Sequence, residues 1–301
     1  MRFGFAIPQF FADGEFDPDG FARSVRRIEE LGFHSAWTLE QPLGSMPCLS
    51  PLDTMTFAAA HTSTLRLGCA VFVTTLHNPV HLAKSLSTVD QLSKGRLDVG
   101  VGTGGKGRMF SAFGVDGDRY ASRFAEGIDL MKALWTEDRT DFDGEFWQLA
   151  EAGMEPKPLQ KPHPPLWFGG ASPSALRRAV RMGDGFIGAG STPTATFAEQ
   201  VGIIRAAPGG ESGFPIAKRV YLAVDDQPAR ARQRMNERLA DVYGRRVATI
   251  ESAAITGTAD ECAEALRDVG EAGAELIIIT PLFDHEFHLE KLVADVLPSL
   301  T

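Results

Sequence analysis

Eight short apolar runs, each followed by residues with helical spacing, constrain this 301-residue chain more than any other feature. They fall at 2–7, 35–39, 65–73, 97–101, 165–168, 185–189, 219–224 and 275–280. Between them apolar side chains recur every three or four residues, as in Phe21, Val25 and Ile28, or Phe124, Ile128, Met131 and Trp135. Such stripes are the inward faces of helices, and strands that alternate with helices form a parallel sheet with crossover connections. Eight units of this kind in an α/β chain of this length close on themselves as a (β/α)8 barrel.

Two segments exceed a minimal barrel. Residues 138–164 carry Phe142-Asp-Gly-Glu-Phe-Trp147, a hairpin-like run with its turn at Asp143-Gly144, and then a proline-rich stretch before the fifth strand. Residues 226–274 hold two helical patterns, at 227–243 and 259–272, the second opened by the capping box Thr258-Ala-Asp-Glu261. Neither an internal repeat nor a linker interrupts the chain, so residues 1–301 read as one domain.

Charge and cysteine content narrow the function. Thirty basic against 39 acidic residues leave a net charge of -9, which disfavours nucleic-acid binding, because phosphates demand a concentrated basic face. Cysteines at 48, 69 and 262 are too few and scattered for a disulfide framework or a zinc site. With no run of eighteen apolar residues and no signal peptide, the expectation is a soluble cytoplasmic protein with no membrane partner.

In barrels of this kind the site lies at the C-terminal ends of the strands. After the fourth strand, Gly102, Gly104, Gly105 and Gly107 leave backbone bare, and such backbone can approach a flat ring. The spacing Gly100, Gly102, Gly105 also matches G-x-G-x-x-G, but no helix begins there to hold a pyrophosphate. Gly100 to Lys106 fits G-x-x-x-x-G-K, yet Gly107 stands where a magnesium-binding Ser or Thr is required. A long flexible loop is the alternative. After the fifth strand, Gly169-Gly-Ala-Ser172 runs into a helix whose free amides suit a phosphate, and Gly190, Ser191 and Thr192 repeat that logic after the sixth. Glu40 ends an early strand and is a candidate acid or base, or else an exposed rim residue; His77 and His285 are the candidate imidazoles. No Ser/His/Asp set or metal cluster can be assembled, which favours chemistry carried by a cofactor.

Taken together, several motifs resemble the luciferase-like monooxygenase superfamily of flavin- and deazaflavin-dependent barrels. They are Leu31-Gly-Phe-His-Ser-Ala-Trp37, Thr64-Leu-Arg-Leu-Gly68, Asp90-Gln-Leu-Ser-Lys-Gly-Arg-Leu-Asp-Val-Gly-Val-Gly102, Pro165-Leu-Trp-Phe-Gly-Gly170, Gly183-Asp-Gly-Phe186 and Ile255-Thr-Gly-Thr258. The resemblance implies a cofactor in the barrel mouth, with Gly169, Gly170 and Ala171 near its phosphate and Gly190, Ser191 and Thr192 beside them. It also implies Gly102, Thr103 and Gly104 at the ring edge and a non-proline cis peptide at Ala70-Val71 against the ring. Val101-Gly-Thr-Gly104 is similar to the branch that uses the deazaflavin coenzyme F420, with FMN as the alternative. Lys106 and Arg108 are then candidates for the anionic tail of the coenzyme. Deazaflavin alcohol and sugar-phosphate dehydrogenases of the family carry Asp-His where this chain has Glu40-Gln41, and an acidic residue where it has Gly105. The expectation is therefore hydride transfer between reduced F420 and a small organic substrate, with Glu40 as proton donor, in a homodimer. The alternatives are an FMN monooxygenase served by a partner flavin reductase, and a non-catalytic flavin binder.

Overall fold

The computed structural model describes every residue except 12–14, 45, 106, 107, 245–249 and 301. In chain order the strands are β1 (Arg2–Ala6), β2 (Ser35–Thr38), β3 (Arg66–Val73), β4 (Leu97–Gly102), β5 (Thr140–Asp143), β6 (Gln148–Ala152), β7 (Leu166–Gly169), β8 (Gly185–Gly188), β9 (Ile216–Val224), β10 (Ile255–Gly257) and β11 (Leu276–Thr280). The helices are α1 (Pro18–Glu30), α2 (Pro51–His61), α3 (Pro79–Leu92), α4 (Arg108–Ala112), α5 (Tyr120–Thr136), α6 (Pro173–Met182), α7 (Thr194–Arg205), α8 (Pro228–Tyr243), α9 (Ala259–Glu271) and α10 (His285–Lys291).

Strands β1, β2, β3, β4, β7, β8, β9 and β11 pair in parallel in that order, and β11 returns to β1, so the barrel is closed. The eight apolar runs account for all of its staves. The seventh begins at Ile216 rather than at residue 219, which places Arg219 in mid-strand. An additional short strand, β10, continues the parallel pairing beside the end of β9, with Gly257 opposite Val224. Strands β5 and β6 form an antiparallel hairpin between α5 and β7. Its turn is held by Glu126, whose carboxylate accepts the N–H groups of Glu145, Phe146 and Trp147 at 3.0, 2.8 and 3.1 Å.

Helix faces pack on the outside of the staves in one continuous apolar core that includes Val25, Ile28, Leu86, Ile128, Leu134, Leu176, Ile204 and Leu266. The interior is a separate cluster built around Trp37 and Trp167, whose rings meet edge-on at 6.5 Å. Each indole lies beside a glycine on the neighbouring strand. A Cβ on Gly68 would stand 2.5 Å from the Trp37 ring, and one on Gly185 would stand 2.5 Å from that of Trp167. The two tryptophans therefore fill the barrel interior.

Glu29, near the end of α1, ties that helix to the segment leading into β3. Its carboxylate accepts the N–H groups of Ser63, Thr64 and Leu65 at 2.8, 2.6 and 2.8 Å. Burial alone raises the pKa of this carboxyl, but those backbone donors outweigh it and hold the group at about 2. Among the described residues no helix is long and apolar enough to cross a membrane.

Candidate active site at the barrel mouth

The third strand is irregular where it reaches the mouth. Its register against β4 shifts between Cys69 and Phe72, and the Ala70-Val71 peptide within that bulge is cis. A Cβ on Gly100 would lie 1.9 Å from the Cys69 carbonyl oxygen, so the bulge can form only because the facing strand carries glycine there. Thr74 and Thr75, just beyond β3, fix the same region from the other side. Their hydroxyls donate to the carbonyls of Gly102 and Thr103 at 3.2 and 2.8 Å.

A groove crosses the mouth over this bulge. Ala70 and Val71 form its floor, Gly102, Thr103 and Gly104 one edge, and Gly169, Gly170 and Ala171 the far end. Eight of the residues expected from the sequence to meet a cofactor are thus brought together. Gly190, Ser191 and Thr192 are not among the groove-lining residues. Ser191 and Thr192 lie in a turn closed by the Thr192 N–H donating to the Ala189 carbonyl at 3.0 Å, and Gly190 packs close to Arg219 and Tyr221. The far end of the groove is instead completed by Ser172, Ser174 and Arg178 of α6 and its N-terminal cap. Ser172 caps that helix by accepting the Ala175 N–H and Pro173 carries no N–H, so the first turn offers the groove end the Ser174 amide beside the Ser172 and Ser174 hydroxyls. Arg178 lies 5.1 Å over the Phe124 ring, its Nε is shielded and bonded to nothing among the described residues, and burial lowers its pKa. A phosphate placed there would meet amides, hydroxyls and a cation. The groove therefore fits a ring-and-phosphate cofactor. Lys106 and the Arg108 side chain, expected near an anionic tail, lie outside the described residues.

A second pocket joins the groove across Ala70, Val71, Gly104 and Arg219. Its other walls are Leu39, Glu40, Gln41, Leu43, Val73, Met109, Tyr221, Val242 and Tyr243. Glu40 is a pocket residue, not an exposed rim group, with a side chain only 7% exposed. One carboxylate oxygen lies 2.7 Å from His77 Nε2 and the other accepts the Val73 N–H at 2.5 Å. The imidazole bonded to Glu40 comes from His77, in the turn after β3, which is not itself among the residues lining the pocket.

Arg219 stands where groove and pocket meet. Its guanidinium donates to the Ala70 carbonyl at 3.3 Å and to the Tyr221 hydroxyl at 2.5 Å, and the hydroxyls of Tyr221 and Tyr243 are themselves 2.5 Å apart. Burial pushes the Tyr221 phenol well above its ordinary pKa. Because β9 starts at Ile216, residues 217, 219 and 221 point into the barrel, whereas Val220 and Leu222 join the outer core. A strand started at 219 hides that alternation, which is the signal that would have found Arg219 and Tyr221. Asp225, the residue that follows this strand, is instead engaged by Arg230 at 2.6 and 2.7 Å. His285 belongs to a different small cavity, shared with Thr38 and Thr280, and burial lowers its pKa to about 4. No cluster of three metal-ligating side chains occurs among the described residues.

Known proteins share this architecture. An F420-dependent glucose-6-phosphate dehydrogenase of Kineococcus radiotolerans is 33% identical over 181 residues, 58% of this chain and 53% of that protein. The oxygenase component of a flavin-dependent trigonelline monooxygenase of Acinetobacter baylyi is 32% identical over 155 residues, 50% of this chain and 43% of the relative. The chain spans about half the length of each of these two relatives. Among solved structures, the monooxygenase RslO1 from Streptomyces bottropensis superposes over 100% of both chains with a TM-score of 0.86 at 24% identity, a likeness of fold. The family described as luciferase-like monooxygenase matches residues 1–276, and with this sheet, bulge and mouth the chain belongs to that family.

Proposed function

We propose that this protein is an oxidoreductase that uses the deazaflavin coenzyme F420 to exchange hydride with a small organic substrate. The observation that carries the reading is the continuity of the two spaces. A groove edged by bare backbone and ended by α6 opens directly, over Ala70 and Val71, into a pocket lined by Glu40, whose carboxylate is backed from behind the lining by His77. When bound, the cofactor supplies a hydride donor or acceptor. The chain supplies the rest. Gly169, Gly170, Ala171 and Arg178 hold the anionic end, and Gly102, Thr103 and Gly104 edge the ring. Glu40 gives a proton to the substrate atom that gains negative charge, and His77, which is partly exposed, renews that proton from solvent. The preference for F420 draws on the relationship to F420-dependent glucose-6-phosphate dehydrogenases.

The second reading, an FMN monooxygenase fed by a reductase, is favoured by the relationship to the trigonelline enzyme. Titration with F420 and with FMN, followed by stopped-flow reoxidation of the reduced complex in air, separates the two. The proposal expects F420 to bind about tenfold or more tightly than FMN and its reduced complex to be stable to oxygen. Tight FMN binding with rapid, oxygen-dependent reoxidation refutes it. Tight binding of either cofactor, with no turnover of any acceptor, would mark a non-catalytic binder.

A further inference from the structure

We propose that Arg219 receives a carboxylate of the substrate, so that the protein acts on organic acids with an apolar body. This rests on the reading of the adjoining pocket as the substrate site. The guanidinium is bonded to the Ala70 carbonyl and to the hydroxyls of Tyr221 and, at 3.5 Å, Tyr243, and it stacks 5.0 Å over the Tyr221 ring. All of these partners are neutral. Its Nε is shielded from solvent and bonded to nothing among the described residues. No carboxylate lies within ion-pair distance of Arg219 among those residues, and Glu40, the one carboxylate lining the pocket, is already engaged by His77 and the Val73 N–H.

Two other guanidiniums are engaged within the fold. Arg66, at the other end of the barrel, is met by both oxygens of Asp98, at 2.7 and 2.9 Å, and Arg96 has each of its nitrogens bonded to a backbone carbonyl or the Thr62 hydroxyl. Arg219 has no such counter-ion, although a guanidinium stays charged at any pH a protein experiences and is costly to withdraw from water unpaired. Two tyrosines hold its planar fork in place, and that fork matches a carboxylate through two parallel hydrogen bonds. Leu39, Leu43, Val73, Met109 and Val242 make the surrounding walls apolar. An acid with a hydrocarbon or aromatic body satisfies both the charge and the walls. The anionic ring of a reduced cofactor could claim the same fork, and the two sources separate experimentally.

Calorimetry with benzoate, hexanoate, benzamide and hexanamide tests the assignment on the full chain, with and without oxidised F420. The expected result is that at least one acid binds tenfold or more tightly than its amide, about 1.4 kcal/mol. Arg219→Gln should abolish that preference, with amide affinity changed by less than about twofold and any weakening of oxidised or reduced F420 smaller than the loss of acid affinity. If neither acid outbinds its amide, or if the substitution chiefly weakens reduced F420, the proposal is wrong. Should Arg219→Gln fail to fold, Arg219→Lys keeps the charge and loses the fork; acid affinity should then fall several-fold with amide affinity unchanged, and an equal change in both overturns the assignment. Failure of wild-type protein to bind F420 would defeat the cofactor reading alone, since the cofactor-free titration still reports on Arg219.

Discussion

His77 Nε2 lies 2.7 Å from Glu40 Oε1, joining the segment after β2 to the turn after β3 beside the pocket that adjoins the groove. The Val73 N–H binds the other oxygen, so the carboxylate has a fixed orientation. Substitution Glu40→Gln preserves the shape and removes the transferable proton. Turnover should fall by about 100-fold or more, the scale of a lost general acid, with cofactor affinity unchanged. Steady-state kinetics beside a cofactor titration checks this, and a variant that turns over normally would reduce Glu40 to a scaffold for the bulge.

Arg178 predicts the opposite separation. Arg178→Gln should weaken cofactor binding by about tenfold, the scale of one charge-assisted hydrogen bond, and should flatten the dependence of that binding on salt. Turnover at saturating cofactor should be preserved. Equilibrium titrations at two ionic strengths read both effects.

Glu29 sets an acid limit on stability. Its folded pKa of about 2 lies below the ordinary 4.5 of a glutamate, so the unfolded chain binds the proton first. The contribution is therefore complete above pH 4.5 and is lost as pH falls from 4.5 towards 2. Allowing for the partial exposure of this side chain, Glu29→Gln should cost about 1–3 kcal/mol at neutral pH and make the acid limb shallower. Urea unfolding across that pH range measures it.

Lys218 points the other way along β9 from Arg219 and is 2% exposed, its ammonium donating to the Ala189 and Arg219 carbonyls, the latter at 3.1 Å. Burial lowers its pKa from 10.5 to about 7, with the Arg219 charge adding to the effect. Here the folded state releases its proton first, so stability should rise with pH between about 7 and 10.5 and the full penalty applies below 7. Lys218→Met should remove that rise, by up to a few kcal/mol across the window. An unchanged slope in denaturation midpoints between pH 7 and 10 would exclude Lys218 as its source.

Much of the barrel was legible because each stave is an apolar run whose neighbours carry helical spacing, from Phe3 and Phe5 in β1 to Ile277 and Ile279 in β11. Bare backbone at Gly102, Gly104, Gly169 and Gly170 pointed to the groove for a local reason: a Cβ there would press on Val71, Val73 or Ala175 at 2.5 to 3.2 Å. Side chains that act through long-range meetings left no local trace. His77 and Glu40 come together only when β2 and β3 pair, and Tyr243 meets Tyr221 only when α8 folds over the end of β9. The hydroxyl-bearing turn at Ser191 and Thr192 repeated the composition of a phosphate loop, while Ser172, Ser174 and Arg178, one helix earlier, occupy the groove end. Both stave ends reach the groove, Ala189 as well as Gly169, and composition does not say how far along each turn the lining extends.

Val242 and Tyr243, which wall the pocket adjoining the groove, belong to α8, a helix that contributes no stave to the barrel. On the proposed assignment, α8 would shape the substrate side, while the cofactor groove is built mainly from β3, β4, β7, β8 and α6. Exchange of the α8 segment between relatives would alter which molecules are accepted and leave the groove over Ala70 and Val71 as it is, so new specificities in this lineage can arise without rebuilding the redox centre.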